Sequence, residues 1–247
     1  MIELLVLRLD APLVSFGGPV VDNRGVTQDF PGLAQLTGLL GNALGYEHRD
    51  AGKLGALQRR LRYAVRRDRR GAFLRDYQTV DLGQDFLNNG GWTTRGRAEG
   101  RAGGSAAEKT HIRLRDYFAD SHYTLVLTLV PPQEPPDLDA LERALREPER
   151  PLFIGRKCCL PAAPLLFGRL QAPSLLQGLA QVPLIAGSRR GEYPDLLEAW
   201  WPADEGGPPD SRLVELTDER DWTHQIHAGR RALRHGLLHV REASHGG

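Results

Sequence analysis

The residues best suited to chemistry in this chain are cations and flat rings set among glycines. Between Gln78 and Arg113 stand Arg95, Arg97, Arg101, Arg113 and Lys109, with Phe86 and Trp92 as an aromatic pair. The rest of that stretch is largely Gly, Asn, Ser and Thr, too polar to bury a core of its own. A basic, glycine-rich segment carrying a tryptophan suits a polyanion with flat bases: guanidinium groups meet phosphates and the ring stacks. The bland alternative is a disordered surface loop without a role. A second candidate is Gly155-Arg156-Lys157. Two cations beside a glycine with free backbone amides make a seat for phosphate, or else an ordinary solvated basic pair. Arg24 stands alone in a stretch rich in Gly, Pro, Asp and Asn, residues 10–29.

Other chemistries are weaker. Metal-free RNA cleavage needs a base and an acid flanking a 2′-hydroxyl, and a cation for the phosphorane. Tyr46 with His48, or Lys109 with His111, could supply these groups. His224, His227, His235, His239 and His245 cluster near the C-terminus without the carboxylates or cysteines of a metal set. No phosphate-binding loop, dinucleotide fingerprint or HExxH helix occurs. No catalytic residue, metal or cofactor is therefore expected. Cys158 and Cys159 are adjacent and read as small buried residues of a cytosolic protein.

The elements that position these groups begin with charge. The net charge of +1 hides an asymmetry. Residues 59–75 hold eight arginines against Asp68, and residues 192–221 hold ten acids against Arg212 and Arg220. A basic face for phosphate and an acidic region for a protein partner are expected. Only Lys53, Lys109 and Lys157 are lysines, and arginine forks phosphate and stacks on bases where lysine does not. Glu3 and Arg8 break the first apolar run, so a signal peptide is not expected. No apolar run reaches membrane-spanning length.

Residues 2–9 read as a central strand, apolar on both faces. Pro31 opens a helix to about Leu44, with Gly38, Gly41 and Gly45 on one side as if a strand or a nucleic-acid backbone packs close. A short helix follows over 53–61. Strands are expected over 63–67, 73–80 and 123–130. The tetrapeptide Leu-Arg-Asp-Tyr occurs at 74–77 and again at 114–117, bracketing the basic stretch. A long hairpin arm is the natural reading of 78–113. Asp137 caps a helix over 138–145, and residues 151–157 read as a returning strand. The pattern is α+β: a ferredoxin-like (RRM-like) domain over 1–160 with a long β-hairpin thumb insertion at about 78–113. Modules of that architecture lay RNA across an open sheet face. Residues 161–247 read as a small irregular C-terminal lobe. It carries a short helix within 165–179, an acidic loop over 187–210 around Trp200-Trp201, and short strands at 213–216 and 237–240.

Several segments together resemble one family. Residues 74–80, LRDYQTV, resemble the "LRDYHTV" segment before the thumb of the CasD family, the Cas-five subunits (subtype e) of type I-E CRISPR Cascade complexes in the RAMP superfamily. Phe30-Pro31 followed by Gly38-Leu39-Leu40-Gly41 and Gly45 is similar to its "FPT…GLLG…LG" helix. Residues 151–158, PLFIGRKC, resemble its "PYLGRRSC" segment, and Phe16-Gly17 fits an aromatic-Gly after the first strand. The matches are ordered over residues 1–165. The resemblance implies a cytoplasmic, non-catalytic subunit that caps the 5′ handle of the CRISPR RNA. Its thumb would interrupt the guide–target duplex, meeting target DNA indirectly. Its protein partners would be the Cascade backbone subunit and large subunit, with no membrane. Arg24, Gly155, Arg156 and Lys157 would then hold handle phosphates, Tyr77 and Trp92 would stack or wedge, and Arg95, Arg97, Arg101 and Lys109 would line the thumb. Where the family often has Thr, a basic residue and Ser after Phe-Pro, this chain has Gly32, Leu33 and Ala34. RNA contacts from those positions are not carried over. Two other readings stand beside this one: a metal-independent endoribonuclease processing CRISPR repeat RNA, and a structural adaptor docking through its acidic lobe.

Overall fold

The structure is a computed structural model that describes residues 1–18, 24–81, 91–92, 98–99, 110–184 and 196–240. In chain order the strands are β1 (Ile2–Val14), β2 (Arg24–Gly25), β3 (Leu61–Arg69), β4 (Ala72–Asp81), β5 (Gly91–Trp92), β6 (Ala98–Glu99) and β7 (Thr110–Leu129). They continue with β8 (Leu166–Ala172), β9 (Leu196–Pro202), β10 (Arg212–Leu216), β11 (Arg220–Asp221), β12 (Ile226–His227) and β13 (Arg231–His239). The helices are α1 (Leu33–Ala43), α2 (Ala51–Arg60), α3 (Leu138–Arg146) and α4 (Leu175–Gln181).

One large sheet organises the molecule, in the order β10-β13-β9-β3-β7-β1-β8. Its pairings along this path are antiparallel. β7 is the longest strand, at 20 residues. Its second half is clamped between β1 and β3, from Leu5↔Leu127 on one side and Leu61↔Leu129 on the other. Its first half runs beyond the body and pairs with β4, from Asp81↔Thr110 to Ala72↔Ala119. The base of the expected hairpin is therefore a ten-rung ladder; residues 82–90, 93–97 and 100–109 lie outside the described residues.

Both faces of the central strands are covered. Leu36, Leu40, Leu57 and Leu141 from α1, α2 and α3 pack on Leu5, Leu7, Tyr63, Leu125 and Leu127. Leu175 and Leu179 of α4 cover Leu4, Val6, Ala64 and Val126 on the other face. An open sheet face for RNA, as expected from the architecture, is not present at these strands, because α4 closes it. The cause lies in the sequence: β1 and the second half of β7 are apolar on both faces, so each side requires a lid.

Helix ends show how distant parts are stitched. Asp137 caps α3, its Oδ1 accepting from the Ala140 amide at 2.8 Å, as the sequence predicts. Gly32 offers α1 no side-chain cap. Asp218 supplies one from far along the chain: its carboxylate accepts from Leu33 N at 2.9 Å and its carbonyl from Ala34 N at 2.9 Å. Arg231 grips the same carboxylate at 2.6 and 2.7 Å and bonds the Tyr63 hydroxyl. The backbone amides of Leu33 and Ala34 are thus engaged by the protein's own acid.

Several expectations need correction. Residues 151–157 are an irregular loop and not a strand: Gly155 adopts φ +104, which breaks extension. The strand that returns to β1 is β8, and the helical part of 165–179 is confined to its end, where α4 begins. The glycines of α1 and its end face side chains from three places: Gly38 faces Trp222, Gly45 faces Glu149, and only Gly41 faces a helix. A Cβ on Gly41 would meet Leu54 of α2 at 2.6 Å. Trp200 and Trp201 are not in a loop; they are buried on β9, which pairs with β3 at Val65↔Trp200. Cys159 is buried, but Cys158 is exposed. Residue 160 lies in the loop before β8, and β9, β10 and β13 lie in the same sheet as β1, β3 and β7.

Candidate nucleic-acid interface

The corner where β4, β7, β2 and the 151–159 loop meet carries a set of oriented cations. Its organising group is Asp116, a buried carboxylate on β7. Arg75, directly opposite on β4, donates to it from Nε at 2.7 Å and Nη2 at 3.3 Å. Arg24 approaches the same group at 3.4 Å. Hydrogen bonding from Arg75 is the main cause that holds the Asp116 carboxyl below the ordinary carboxylate value, with Arg24 adding to it.

Arg156 reaches the corner from the loop. Its Nη1 donates to the Asp116 carbonyl at 2.7 Å and its Nη2 to the Gly25 carbonyl at 2.8 Å. Its guanidinium lies 4.8 Å from the centre of the Tyr117 ring, a cation–π contact. Burial, then the Cys158 thiol 3.5 Å away, push the Tyr117 hydroxyl up. Gly155 makes the approach possible. The loop is strapped to β1's end by Ser15 N to Ile154 O at 3.2 Å, and Gly155 lies against the Ser15 carbonyl so tightly that a Cβ has no room.

Of the residues expected to bind RNA, Arg24, Gly155 and Arg156 are brought together here, with exposed Lys157 next in the chain. Tyr77 is on β4, two residues beyond Arg75 on the same face, and 60% exposed. It shares that face with Phe73, 56% exposed, and Ile112, 39% exposed, so the hairpin base has an apolar side. Trp92 lies on β5, opposite Ala98, but its side chain is outside the described residues. Arg95, Arg97, Arg101 and Lys109 also lie outside them. Sequence reasoning missed Arg115 and Asp116. The signal was available in the repeated tetrapeptide, whose second copy was read only as a bracket.

The arginine run does not form the expected basic face. Alternation along β3 turns its members inward or onto partners. Arg66 is fully buried, forked to Asp68 at 2.5 and 3.2 Å, and donates to the carbonyls of Leu179 and Val182 at the end of α4. It thus serves as a cationic cap where the helix carbonyls are left over. Arg60 is buried and gathers the carbonyls of Pro131, Glu134, Pro135 and Pro136, a turn where prolines supply no amide donors. Arg62 pairs with Asp204 at 2.7 Å, and Arg67 with Asp29 and Glu198. Part of the acidic region is therefore the run's own counter-charge. Arg59 and Arg70 remain exposed.

The cleavage candidates are split. Tyr46 and His48 line one cleft of 550 Å³ with Glu47, Arg49 and Trp222, and no residue of the Asp116 corner lines it. Lys109 and the side chain of His111 are outside the described residues. Among the described residues no group of three or more His, Cys, Asp or Glu is arranged for a metal ion, and no helix is long and apolar enough to cross a membrane.

A family model described as CRISPR-associated protein (Cas_Cas5) matches residues 4–234. The CRISPR system Cascade subunit CasD of Escherichia coli (strain K12) is 31% identical over 197 residues, 76% of this chain and 80% of that protein. Among solved structures, a chain of a CRISPR RNA-guided surveillance complex superposes with a TM-score of 0.67 at 23% identity, covering 98% of this chain and 91% of that one, a likeness of fold. The crystal structure of a Cas protein gives a TM-score of 0.64 at 27% identity, over 97% and 98% of the two chains.

Proposed function

This chain belongs to the CRISPR-associated Cas5 family, and we propose that it serves as the non-catalytic CRISPR RNA-binding subunit of a type I-E Cascade interference complex. It caps the 5′ handle of the CRISPR RNA with the corner around Asp116, and the hairpin on β4 and β7 is the thumb that wedges at the guide–target duplex. Target DNA is met through that duplex, and the backbone and large subunits of the complex are its protein neighbours. The observation that carries the reading is the convergence of Arg24, Arg75, Arg115 and Arg156 at the root of a hairpin, in a chain 31% identical to a Cascade subunit. Four guanidiniums at this root, of which Arg75 and Arg24 share the one Asp116 carboxylate, leave a strongly positive corner, and positive charge at fixed positions is what a phosphate chain selects. A ferredoxin-like description is supported by the central order β3-β7-β1-β8, with helices in the β1-to-β3 and β7-to-β8 connections.

The test is to purify the chain from cells carrying a CRISPR array and identify what comes with it. Handle-bearing RNA is expected. If five cations meet phosphates, log affinity should fall with log salt at a slope of about 3.5, from ~0.7 per single-strand phosphate. Replacing residues 82–109 by a tight turn should leave assembly intact and weaken target-DNA binding by the assembled complex. RNA-free protein, or unimpaired target binding by the shortened chain, would sink this reading. A clean cut of repeat RNA in EDTA, lost on His48→Ala, would replace it with the endoribonuclease.

A further inference from the structure

The two Leu-Arg-Asp-Tyr copies are not merely repeated; they face each other. The register pairs Leu74 with Tyr117, Arg75 with Asp116, Asp76 with Arg115 and Tyr77 with Leu114. An antiparallel ladder of one tetrapeptide against itself creates two reciprocal Arg–Asp rungs, one on each face of the hairpin. A symmetric arrangement would neutralise both. Among the described residues only one is neutralised. Arg75 is bonded to Asp116, but Asp76 accepts from Gln78 Nε2 at 2.6 Å instead of from Arg115.

The bystander is β2. It pairs parallel to β7, with Arg24 beside Leu114 and Gly25 beside Arg115. Arg24 therefore falls on the Asp116 face, where it becomes that carboxylate's second cation. Gly25 falls on the Arg115 face. A Cβ built on Gly25 would lie 2.5 Å from Arg156 Nη2 and 2.8 Å from Arg115 Nη1. Two guanidinium tips converge on one point, and Arg115 has no carboxylate partner among the described residues. Arg156 is fixed in place by two backbone carbonyls and the Tyr117 ring. Two like charges held this close repel until an anion bridges them.

We propose that Arg115 and Arg156 form a two-pronged seat for a single RNA phosphodiester beside Gly25, while Asp116 commits Arg24 and Arg75 to holding the hairpin root. This rests on the RNA-binding reading above and narrows it: the contact passes from Arg24 to Arg115. A phosphodiester has two non-bridging oxygens, which match two guanidinium tips approaching from different sides. The seat is on the hairpin face opposite Phe73 and Tyr77, so the phosphate chain and the apolar side are separated by the thickness of one ladder.

The experiment measures binding of the full chain to a fluorescently labelled single-stranded RNA across a salt series, with single-stranded DNA of the same sequence as second probe. Arg115→Ala should weaken binding roughly ten- to hundredfold and lower the salt slope by about 0.7. Gly25→Ala puts a methyl where the tips meet; the tips must move apart and Arg156 must give up its place on the Gly25 carbonyl, so affinity should fall. Arg59→Ala, which removes an exposed charge elsewhere, should leave the slope unchanged. Equal losses on RNA and DNA are expected, because the phosphate is common to both. Loss on one probe alone would assign the contact to sugar or base and overturn the seat. Wild-type affinity and slope in both Arg115→Ala and Gly25→Ala would also overturn it, with RNA binding by the parent protein leaving the broader reading standing. A parent protein that binds no RNA would remove both.

Discussion

Replacing Gly155 by alanine should unseat the loop that carries Arg156. At φ +104 an L-residue loses ~1–2 kcal/mol relative to right-handed backbone. The new methyl also collides with backbone. It would overlap the Ser15 carbonyl oxygen and lie 2.8 Å from its carbon, with the Gln35 amide nitrogen 3.3 Å away. Ser15 has no freedom to retreat, because it is buried between Val14 and Phe16, both fully buried. Overpacking of this kind costs about 1–3 kcal/mol. A total near 3 kcal/mol corresponds to a Tm lower by about 6–12 °C for a chain of this size. Thermal unfolding by circular dichroism reads the loss, and RNA titration reads the displacement of Arg156. Gly155→Asn separates the two causes. Asparagine tolerates left-handed backbone better but brings the same Cβ, so most of the loss should remain. A Gly155→Ala protein with parental Tm and RNA affinity would refute the reasoning, and full recovery in Gly155→Asn would refute the collision.

Two further outcomes follow from the charges. Asp116→Asn should lower stability at pH 7 by about 1–2 kcal/mol, since it removes a charge-assisted partner from Arg75 and Arg24. The carboxyl is held below its ordinary value of 3.8, so its stabilisation is complete above that value and fades as pH falls through the lower folded value. Melting curves of the two proteins should converge in strong acid; a constant gap would contradict the assignment. Asp68→Ala strands the fully buried Arg66 guanidinium and should cost about 3–5 kcal/mol in urea unfolding, while Arg66→Met with Asp68→Leu recovers much of it. An Asp68→Ala protein within 1 kcal/mol of the parent would show that Arg66 finds water or another partner.

What the sequence made legible was local. Both-face apolar runs mark β1 and the inner half of β7, Asp137 marks the start of α3, and the twin tetrapeptides mark the hairpin base. What stayed hidden depended on partners far away in the chain. Nothing near Arg66 reveals that the end of α4, 113 residues on, needs a cation. Nothing near Gly32 reveals Asp218 as the cap of α1. Residues 151–157 have strand-like composition, but the positive φ of Gly155 is dictated by its contact with Ser15, a tertiary demand. Trp200 and Trp201 are flanked by acids and prolines that suggest a loop, yet β3 offers them a sheet edge. Arg115 was unremarkable until the register showed its intended partner engaged elsewhere.

The length of β7 has a mechanical consequence. Its twenty residues make a beam roughly 65 Å long at ~3.3 Å per residue, built into the body at one end and projecting at the other. Tension along it is shear across many rungs at once, the loading in which a ladder is stiffest. Bending, by contrast, concentrates where the beam leaves its mounting. There Asp120 turns to φ +58 and Asp68 bulges from the adjoining strand, so the two halves of the ladder meet at a local irregularity.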